Sequence, residues 1–293
     1  MTSVYHVPVM AETAAKLLVS NPSGIYVDCT LGGGGHTAHL LEQYPQLRVI
    51  GLDCDMEAIT VASDRLAIFG DRVHVVRENF RNIRAVIESF NLKTVDGILA
   101  DLGVSSRQLD DRIRGFSFES PVLDMRMDDR AGSSAMDLVN TADEVSLADI
   151  LYRNGDERRS RQIARRIVEA RQVHRISSGE ELAKIVSSAK WRTGKTHPAT
   201  TVFQALRIAV NDELESLRYL INELPVVLNK GGRAVIISYH SLEDRIVKHA
   251  FRALKAREDA ETVLLTKKPQ EASDEENAIN PRSRSAKLRA IQL

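Results

Sequence analysis

The chain has 293 residues and carries 40 basic and 40 acidic side chains, which gives a formal net charge of zero. A hydrophobic fraction of 43% beside 27% charged residues is ordinary for a globular protein and excludes wholesale disorder. No run of about 18 apolar residues occurs, which excludes a conventional membrane helix, and the first residues lack the pattern of a secretory signal. We therefore expect a cytoplasmic protein, in which zero net charge leaves only local attraction to nucleic acid.

Five short β-rich runs predict the strands of a sheet. They are 24–29, 47–54, 72–79, 95–103 and 233–240. The first four alternate with helical segments, and this βαβα order is typical of a parallel sheet with helices on both faces. The predicted helices are 36–44, 55–68 and 80–90. We therefore predict a doubly wound α/β fold, in which ligands bind at the carboxyl edge of the strands.

The alternation stops after the fourth strand. Residues 106–198 show no convincing strand pattern, and Thr141 and Glu144 have the spacing of a capping box at the start of a helix. These features predict a helical insertion within the α/β domain. The predicted segments are 1–106 for the first part of that domain, 107–200 for the insertion and 201–293 for the second part.

The C-terminal third predicts a return to the α/β domain. Apolar residues recur with helical spacing from Phe203 to Leu224 and predict one long amphipathic helix. The string NKGG (229–232) predicts a turn into the fifth strand. Residues 267–285 are polar and predict a mobile loop before a last strand at 286–292.

A glycine-rich turn follows the first predicted strand, in the string DCTLGGGGH (28–36). Glycines let the backbone approach a ligand closely and direct amide groups at it. Asp53 ends the second strand about 20 residues further on, where a carboxylate can accept from both ribose hydroxyls. Together these features predict a nucleoside cofactor. Asp28 would repel a pyrophosphate but suits a ligand with an ammonium group, such as S-adenosylmethionine.

Three interpretations of this turn stay open on these residues. S-adenosylmethionine is favoured, whereas Gly33, Gly35 and Ala38 also satisfy the relaxed dinucleotide pattern, which keeps NAD as an alternative. The third interpretation is a turn that binds nothing. Phe80, after the third strand, could stack on adenine or pack in the core. Asp101 ends the fourth strand and so lies at the ligand edge.

Arginines are concentrated in the predicted insertion. Eight of them lie between Arg153 and Arg175. A helix with this local charge favours contact with RNA phosphates, and the alternative is a solvated surface balanced by nearby acidic residues. We take Arg161 and Arg165 as candidate substrate residues.

Aromatic and histidine side chains have two interpretations each. Phe116 and Phe118, in a loop with glycine, could stack on an unpaired base or pack in a core. His36, His197 and His240 could be metal ligands or hydrogen-bonded structural residues. Their spacing matches no metal-ligand pattern, so we favour the structural interpretation and expect no metal. His240 follows the fifth strand and is a further candidate for substrate contact, because that strand ends at the ligand edge.

Several motifs distributed in order along the chain resemble one family. They are DLGVSSRQLDD (101–111), RGFSF (114–118), LDMRMD (123–128), GDER (155–158), RQIARRIV (161–168), HPAT (197–200), TVFQALRI (201–208), ISYHSLEDR (237–245) and NPRSRS (280–285). This combination resembles the RsmH (MraW) family of bacterial ribosomal RNA cytidine N4-methyltransferases. So many separate agreements in family order exclude chance.

The resemblance implies a class I, Rossmann-like methyltransferase domain with an inserted helical domain that recognises RNA. It implies methyl transfer from S-adenosylmethionine to the N4 amine of a cytidine in small-subunit (16S) ribosomal RNA, free or in an assembled subunit, and leaves a homodimer open. The cofactor positions that it implies are Gly34, Gly35, His36, Asp53, Phe80, Asp101 and Gln108.

The residues also constrain the chemistry. Methylation at cytosine carbon five would need a cysteine nucleophile, but Cys29 and Cys54 both fall beside the cofactor loops. Amino-methyltransferases often carry Asp/Asn-Pro-Pro-aromatic after the fourth strand, whereas this chain has DLGV. We therefore hypothesise that Asp101, or a backbone carbonyl beside it, accepts from the target amine. The competing classes are an NAD-dependent oxidoreductase and a catalytically idle RNA-binding assembly factor.

Overall fold

A computed structural model describes residues 8–130, 132–190, 197–257 and 261–293. Within these ranges, no helix has the length and apolar character needed to cross a membrane. The chain divides into two compact units. The sheet unit ends at Gly103 and resumes over Leu214–Leu293, and the helical unit is Val104–Glu213.

The sheet unit is built on seven strands. They are β1 Ile25–Asp28, β2 Arg48–Asp53, β3 Val73–Arg77, β4 Val95–Asp101, β5 Leu228–Ser238, β6 Val263–Leu264 and β7 Lys287–Gln292. Their order across the sheet is β3-β2-β1-β4-β5-β7-β6. The first five pair in parallel, whereas β7 runs antiparallel to β5 and β6. β1 and β4 are therefore adjacent at the topological switch point, where open α/β sheets bind their ligands.

Seven helices belong wholly or almost wholly to this unit as described. They are α1 Ala11–Leu18, α2 Gly35–Gln43, α3 Met56–Leu66, α4 Ile83–Ser89, α11 Glu213–Val227, α12 Ser241–Lys255 and α13 Asp274–Ile279. Alternate residues of a strand face opposite sides. In β4, Ile98 and Ala100 pack with α4, α11 and α12, while Leu99 packs with α1, α2 and α3. Helices thus cover both faces of the sheet, which confirms the predicted doubly wound α/β fold.

The helical unit has its own core. Its helices are α5 Ser106–Asp110, α6 Ala135–Thr141, α7 Glu144–Gly155, α8 Ser160–Arg171, α9 Gly179–Ala189 and α10 Thr200–Asn211. The unit is longer than the predicted insertion 107–200 because α10 packs against α6 and α7. The helical unit therefore ends at Glu213. α10 belongs to it, although the sequence prediction placed α10 in the segment 201–293 of the α/β domain.

The predicted long helix over Phe203–Leu224 is interrupted. α10 ends at Asn211, and Asp212 has a left-handed conformation with φ of 50° before α11 begins. Asn and Asp tolerate this conformation better than other side chains. The Asn211 amide donates to Met125 O at 2.7 Å and its Oδ1 accepts from Met127 N–H at 2.7 Å. The break thus lets Asn211 bind the backbone of the helical unit. The spacing of apolar residues gives no sign of such a contact.

Three local predictions also need correction. Thr141 ends α6, and the side chain of Asp143 caps α7 by accepting from Ser146 N–H at 2.9 Å. Residues 229–232 lie inside β5 instead of forming a turn before it, and the register with β4 is irregular there. The segment 267–285, predicted as a loop, contains α13 and a 3₁₀ turn at Pro281–Ser285.

Candidate active site at the carboxyl edge of the sheet

The glycine-rich turn after β1 depends on backbone conformations that favour glycine. Gly32 and Gly34 have φ values of 51° and 73°, in the left-handed region that side chains disfavour. A Cβ on Gly34 would also lie 3.0 Å from Leu66 Cδ1. Gly34 caps the N-terminus of α2, whose first residues are Gly35 and His36. The turn therefore presents bare backbone at a helix N-terminus, as a cofactor site requires.

Asp53 at the end of β2 is bound to this turn. Its Oδ2 accepts from Gly32 N–H at 2.8 Å and its Oδ1 from Asp55 N–H at 2.9 Å. Burial raises the pKa of Asp53 to about 6, although both backbone donors oppose this rise. The carboxylate is thus held at the switch point. Its two backbone donors do not fully offset the cost of burying its negative charge.

Asp28 has a different role from the one expected for a ligand contact. It is 1% exposed, and its oxygens accept from Thr30 N–H at 3.2 Å and Thr37 Oγ1 at 2.7 Å. Burial raises the pKa of Asp28, and His36 and Thr37 oppose the rise. The expectation that it faces a ligand's ammonium group is corrected: Asp28 stabilises the turn and the first turn of α2 from inside.

Asp101 joins the ends of three parallel strands. Its Oδ1 accepts from Tyr239 Oη at 2.6 Å, and its Oδ2 lies 3.3 Å from His36 Nε2. Its backbone N–H donates to Thr30 Oγ1 at 2.6 Å. Tyr239 directly follows β5, and His36 and Thr30 follow β1. Asp101 is therefore fixed in orientation at the edge where the turn and Asp53 lie.

The two partners of Asp101 have shifted pKa values. Burial, followed by the adjacent Asp101 carboxylate, raises the pKa of Tyr239 well above its usual value, so the phenol stays protonated and donates. Burial lowers the pKa of His36, but the hydrogen bond to Asp101 and the charges of Asp101 and Asp28 outweigh it, and the net pKa is raised. The phenol of Tyr239 is therefore a neutral donor to Asp101.

Replacing Tyr239 with phenylalanine removes one donor to Asp101 and keeps the ring. We expect the turnover number to fall about three- to tenfold, in proportion to one lost hydrogen bond of roughly 1 kcal/mol. Single-turnover methyl transfer at saturating cofactor measures this effect. An unchanged rate would show that Asp101 does not depend on this hydroxyl.

His240 is held by a buried glutamate. It caps α12, with Nδ1 accepting from Glu243 N–H at 3.4 Å and Nε2 lying 3.2 Å from Glu243 Oε1. Glu243 is 2% exposed and also accepts from Tyr239 N–H at 2.8 Å. The geometry gives His240 a structural role, and its contact with substrate stays a prediction.

Phe80 and Gln108, two further predicted cofactor residues, are engaged in local packing and capping. Phe80 follows β3, opens a 3₁₀ turn, and is partly buried against the core shared by α4 and α11. Gln108 belongs to the helical unit, where its Oε1 accepts from Ser105 N–H at 2.9 Å and closes the capping box of α5. Contact of either residue with a cofactor stays a prediction.

The predicted substrate residues of the helical unit have mixed outcomes. Arg161 is exposed on α8, and Arg165 is exposed but pairs with Glu169 at 3.0 Å. Phe116 is 6% exposed within the core, so the prediction that it stacks on a base is corrected. Phe118 stacks on His197 with ring centroids 4.5 Å apart, and its role toward RNA stays a prediction.

Across the described ranges, no group of three or more His, Cys, Asp or Glu side chains could hold a metal ion. Sequence reasoning missed the partnership of Tyr239 with Asp101 and that of Glu243 with His240. One signal was available, because neighbouring parallel strands bring their last residues together. Tyr239 follows the strand that pairs with β4, where Asp101 is in register with Ile237.

A doubly wound sheet with an antiparallel β7, a glycine turn after β1, and carboxylates ending β2 and β4 defines a class I methyltransferase. The model of the MraW methylase family matches residues 3–293. The chain therefore belongs to this family, which confirms the resemblance drawn from its motifs.

Two relatives support the same assignment. Ribosomal RNA small subunit methyltransferase H of Endomicrobium trichonymphae is 47% identical over 99% of each chain. The protein of the same name from Picosynechococcus is 51% identical over 98% of this chain and 96% of its own. An rRNA methylase structure from Streptococcus thermophilus aligns over 96% of this chain and 92% of its own at 12% identity and a TM-score of 0.41.

Proposed function

We propose that this protein transfers the methyl group of S-adenosylmethionine to the N4 amine of a cytidine in small-subunit (16S) ribosomal RNA. The family and the relatives named ribosomal RNA small subunit methyltransferase H support this reaction. The structural observation that carries it is the Asp101 carboxylate, fixed by Tyr239 and His36 at the edge that also bears the glycine turn. We further propose that the protein acts in the cytoplasm.

The residues at the switch point fit S-adenosylmethionine. The cofactor would supply a methyl group on a sulfonium centre. Gly34 and Gly35 offer backbone without side chains at a helix N-terminus, and the Asp53 carboxylate suits ribose hydroxyls. The raised pKa of Asp53 indicates that its ionised form would gain from further donors. Phe80 is the candidate for adenine stacking.

Asp101 is the candidate for holding the target amine. The N4 lone pair of cytosine is delocalised into the ring, so the amine needs an acceptor that aligns it and a site that excludes water. Asp101 keeps part of its surface open, with a side chain 21% exposed, while two neighbours fix its direction. An extruded base would bring its Watson–Crick edge to such an acceptor.

Methylation at carbon five of the base is disfavoured on structural grounds. Cys29 is 2% exposed, and burial raises the pKa of its thiol well above the usual value. A buried, protonated thiol cannot form the covalent adduct that carbon methylation requires. Cys54 follows β2 next to Asp53, on the cofactor side of the proposed site.

The proposal is tested by incubating the protein with radiolabelled S-adenosylmethionine and small ribosomal subunits that lack the modification. Free small-subunit RNA is assayed in parallel, because it separates the two substrate forms. We expect label in N4-methylcytidine on nucleoside analysis. Label absent from both substrates, with cofactor binding intact, would overturn the reaction and favour an idle assembly factor. Cofactor class is read separately, since S-adenosylmethionine should raise the melting midpoint and NAD should not.

A further inference from the structure

The solvent face of α12 carries basic side chains. Arg245, His249, Arg252 and Lys255 are exposed, and Lys248 is partly exposed. Residues three, four and seven apart share one face of a helix, so these side chains form one line, which we call the α12 stripe. The opposite face is buried in the core through Val247 and Phe251.

The stripe lies on a part of α12 that carries no acidic side chain. From Arg245 to its last residue, Lys255, the helix contains no Asp or Glu. The two acids that precede it are engaged elsewhere: Glu243 is buried with His240, and Asp244 accepts from Arg289 Nε at 2.7 Å.

Three members of the stripe stand out by their lack of partners. Lys248, Arg252 and Lys255 make no ion pair or side-chain hydrogen bond with any residue that the structure describes. An ordinary solvated helix face mixes both signs, and α8 does so, with Arg165 and Arg166 sharing Glu169. In a protein of zero net charge, three neighbouring cations without a described acidic partner form a local site for a polyanion.

The stripe begins next to the proposed active site. α12 starts at Ser241, directly after β5 and His240, and β5 pairs with β4 so that Ile237 lies opposite Asp101. From Arg245 to Lys255 the helix rises about 15 Å at ~1.5 Å per residue. If a base of the RNA reached Asp101, the adjoining phosphates could therefore lie along the stripe, which leads away from that point on the same unit.

We infer that the α12 stripe binds the phosphate backbone of the substrate RNA next to the target cytidine, which rests on the proposed function. Charge complementarity identifies the partner, since RNA is the polyanion on which the proposed reaction acts. A membrane fits less well, because insertion needs an exposed apolar face and that of α12 is buried in the core. The stripe is independent of the arginines of α8, which belong to the other unit.

The test neutralises the three unpartnered cations together, as Lys248→Gln, Arg252→Gln and Lys255→Gln. Binding is measured by fluorescence anisotropy with an end-labelled single-stranded fragment of small-subunit RNA containing the target cytidine, from 0.05 to 0.3 M KCl. The plot of log affinity against log salt has a negative slope. Counterion release predicts that this slope becomes less steep by about two units, since each lost phosphate contact contributes ~0.7. At 0.1 M KCl the Kd should rise more than tenfold.

A matched control removes the same charge elsewhere on the sheet unit, as Lys16→Gln, Lys93→Gln and Lys230→Gln, all exposed. Its affinity and slope should equal those of the wild type, and both triple variants should bind S-adenosylmethionine normally. A third variant that keeps the charge, Lys248→Arg with Arg252→Lys and Lys255→Arg, should restore RNA binding. Wild-type affinity in the neutralised stripe, or equal weakening in the control, would overturn the inference. Wild-type methyl transfer is assayed alongside, so failure of the reaction is read separately.

Discussion

Replacing Asp101 with asparagine is expected to reduce the rate of methyl transfer by about 10²- to 10³-fold, the usual cost of removing one preorganised electrostatic group. Asparagine keeps the size of the side chain but loses the negative charge that would accept from the N4 amine. It also turns an acceptor for Tyr239 Oη, now at 2.6 Å, into an amide that satisfies it only in one flip state. Single-turnover kinetics with saturating cofactor measure the chemical step directly.

Binding and chemistry must be separated, because Asp101 also matches a family cofactor position. The Kd of S-adenosylmethionine for Asp101→Asn, measured by calorimetry, should stay close enough to the wild-type value to be saturated in the assay. Asp96→Asn is the matched control on the same strand: its Oδ2 accepts from Ile25 N–H at 2.8 Å, five residues before Asp101. That variant should lose stability but keep its turnover number. Near-normal methylation by Asp101→Asn would remove Asp101 from catalysis.

The positions of the strand ends were accessible from sequence for a physical reason. Buried parallel strands are continuous apolar runs, and the residue that follows each run lies at the ligand edge. This reasoning places Asp53 and Asp101 at the same edge, and the structure has both at the ends of β2 and β4. The local hydrophobic pattern is sufficient to place these residues, because it shows where each strand ends and all the parallel strands end at the same edge.

Contacts between distant segments were not accessible in the same way. Tyr239 lies 138 residues from Asp101, and their hydrogen bond depends on β5 being the neighbour of β4. Asp28 looks like a ligand residue in sequence, but whether it faces a ligand or Thr37 depends on the path of the turn. Phe116 in a glycine-containing loop is ambiguous until the core of the helical unit is known.

The boundary of the helical unit illustrates the same limit. Periodicity runs through Phe203 to Leu224 without a break, because both α10 and α11 bury an apolar face. The faces belong to different cores, however, and only the packing partners distinguish them. A hydrophobic pattern shows that a residue is buried, but not in which core.

Binding of S-adenosylmethionine is expected to weaken about tenfold when the pH falls from 7.5 to 5. Burial raises the pKa of Asp53 to about 6, so the carboxylate is ionised at pH 7.5 and largely protonated at pH 5. Only the ionised form accepts from both ribose hydroxyls. For a group with this pKa, linkage lowers the apparent affinity by a factor of about 1 + 10^(6 − pH). Calorimetric titration at several pH values measures the Kd directly.

The sign of the effect on stability separates weaker binding from unfolding. The pKa of Asp53 in the fold is above its ordinary value, so protonation as the pH falls through about 6 favours the folded state through this group. The melting midpoint of the free protein should therefore not fall on account of Asp53 over this range.

Asp53→Asn isolates the carboxylate from its neighbours. Asp28 and His36 also have raised pKa values and remain in that variant. We expect it to bind S-adenosylmethionine about 10- to 100-fold more weakly at pH 7.5, the range for losing a hydrogen bond to a charged group. The decline in affinity between pH 7.5 and 5 should then largely disappear. If Asp53→Asn keeps the full wild-type decline, another group titrates, and Asp53 is not the residue that holds the ribose.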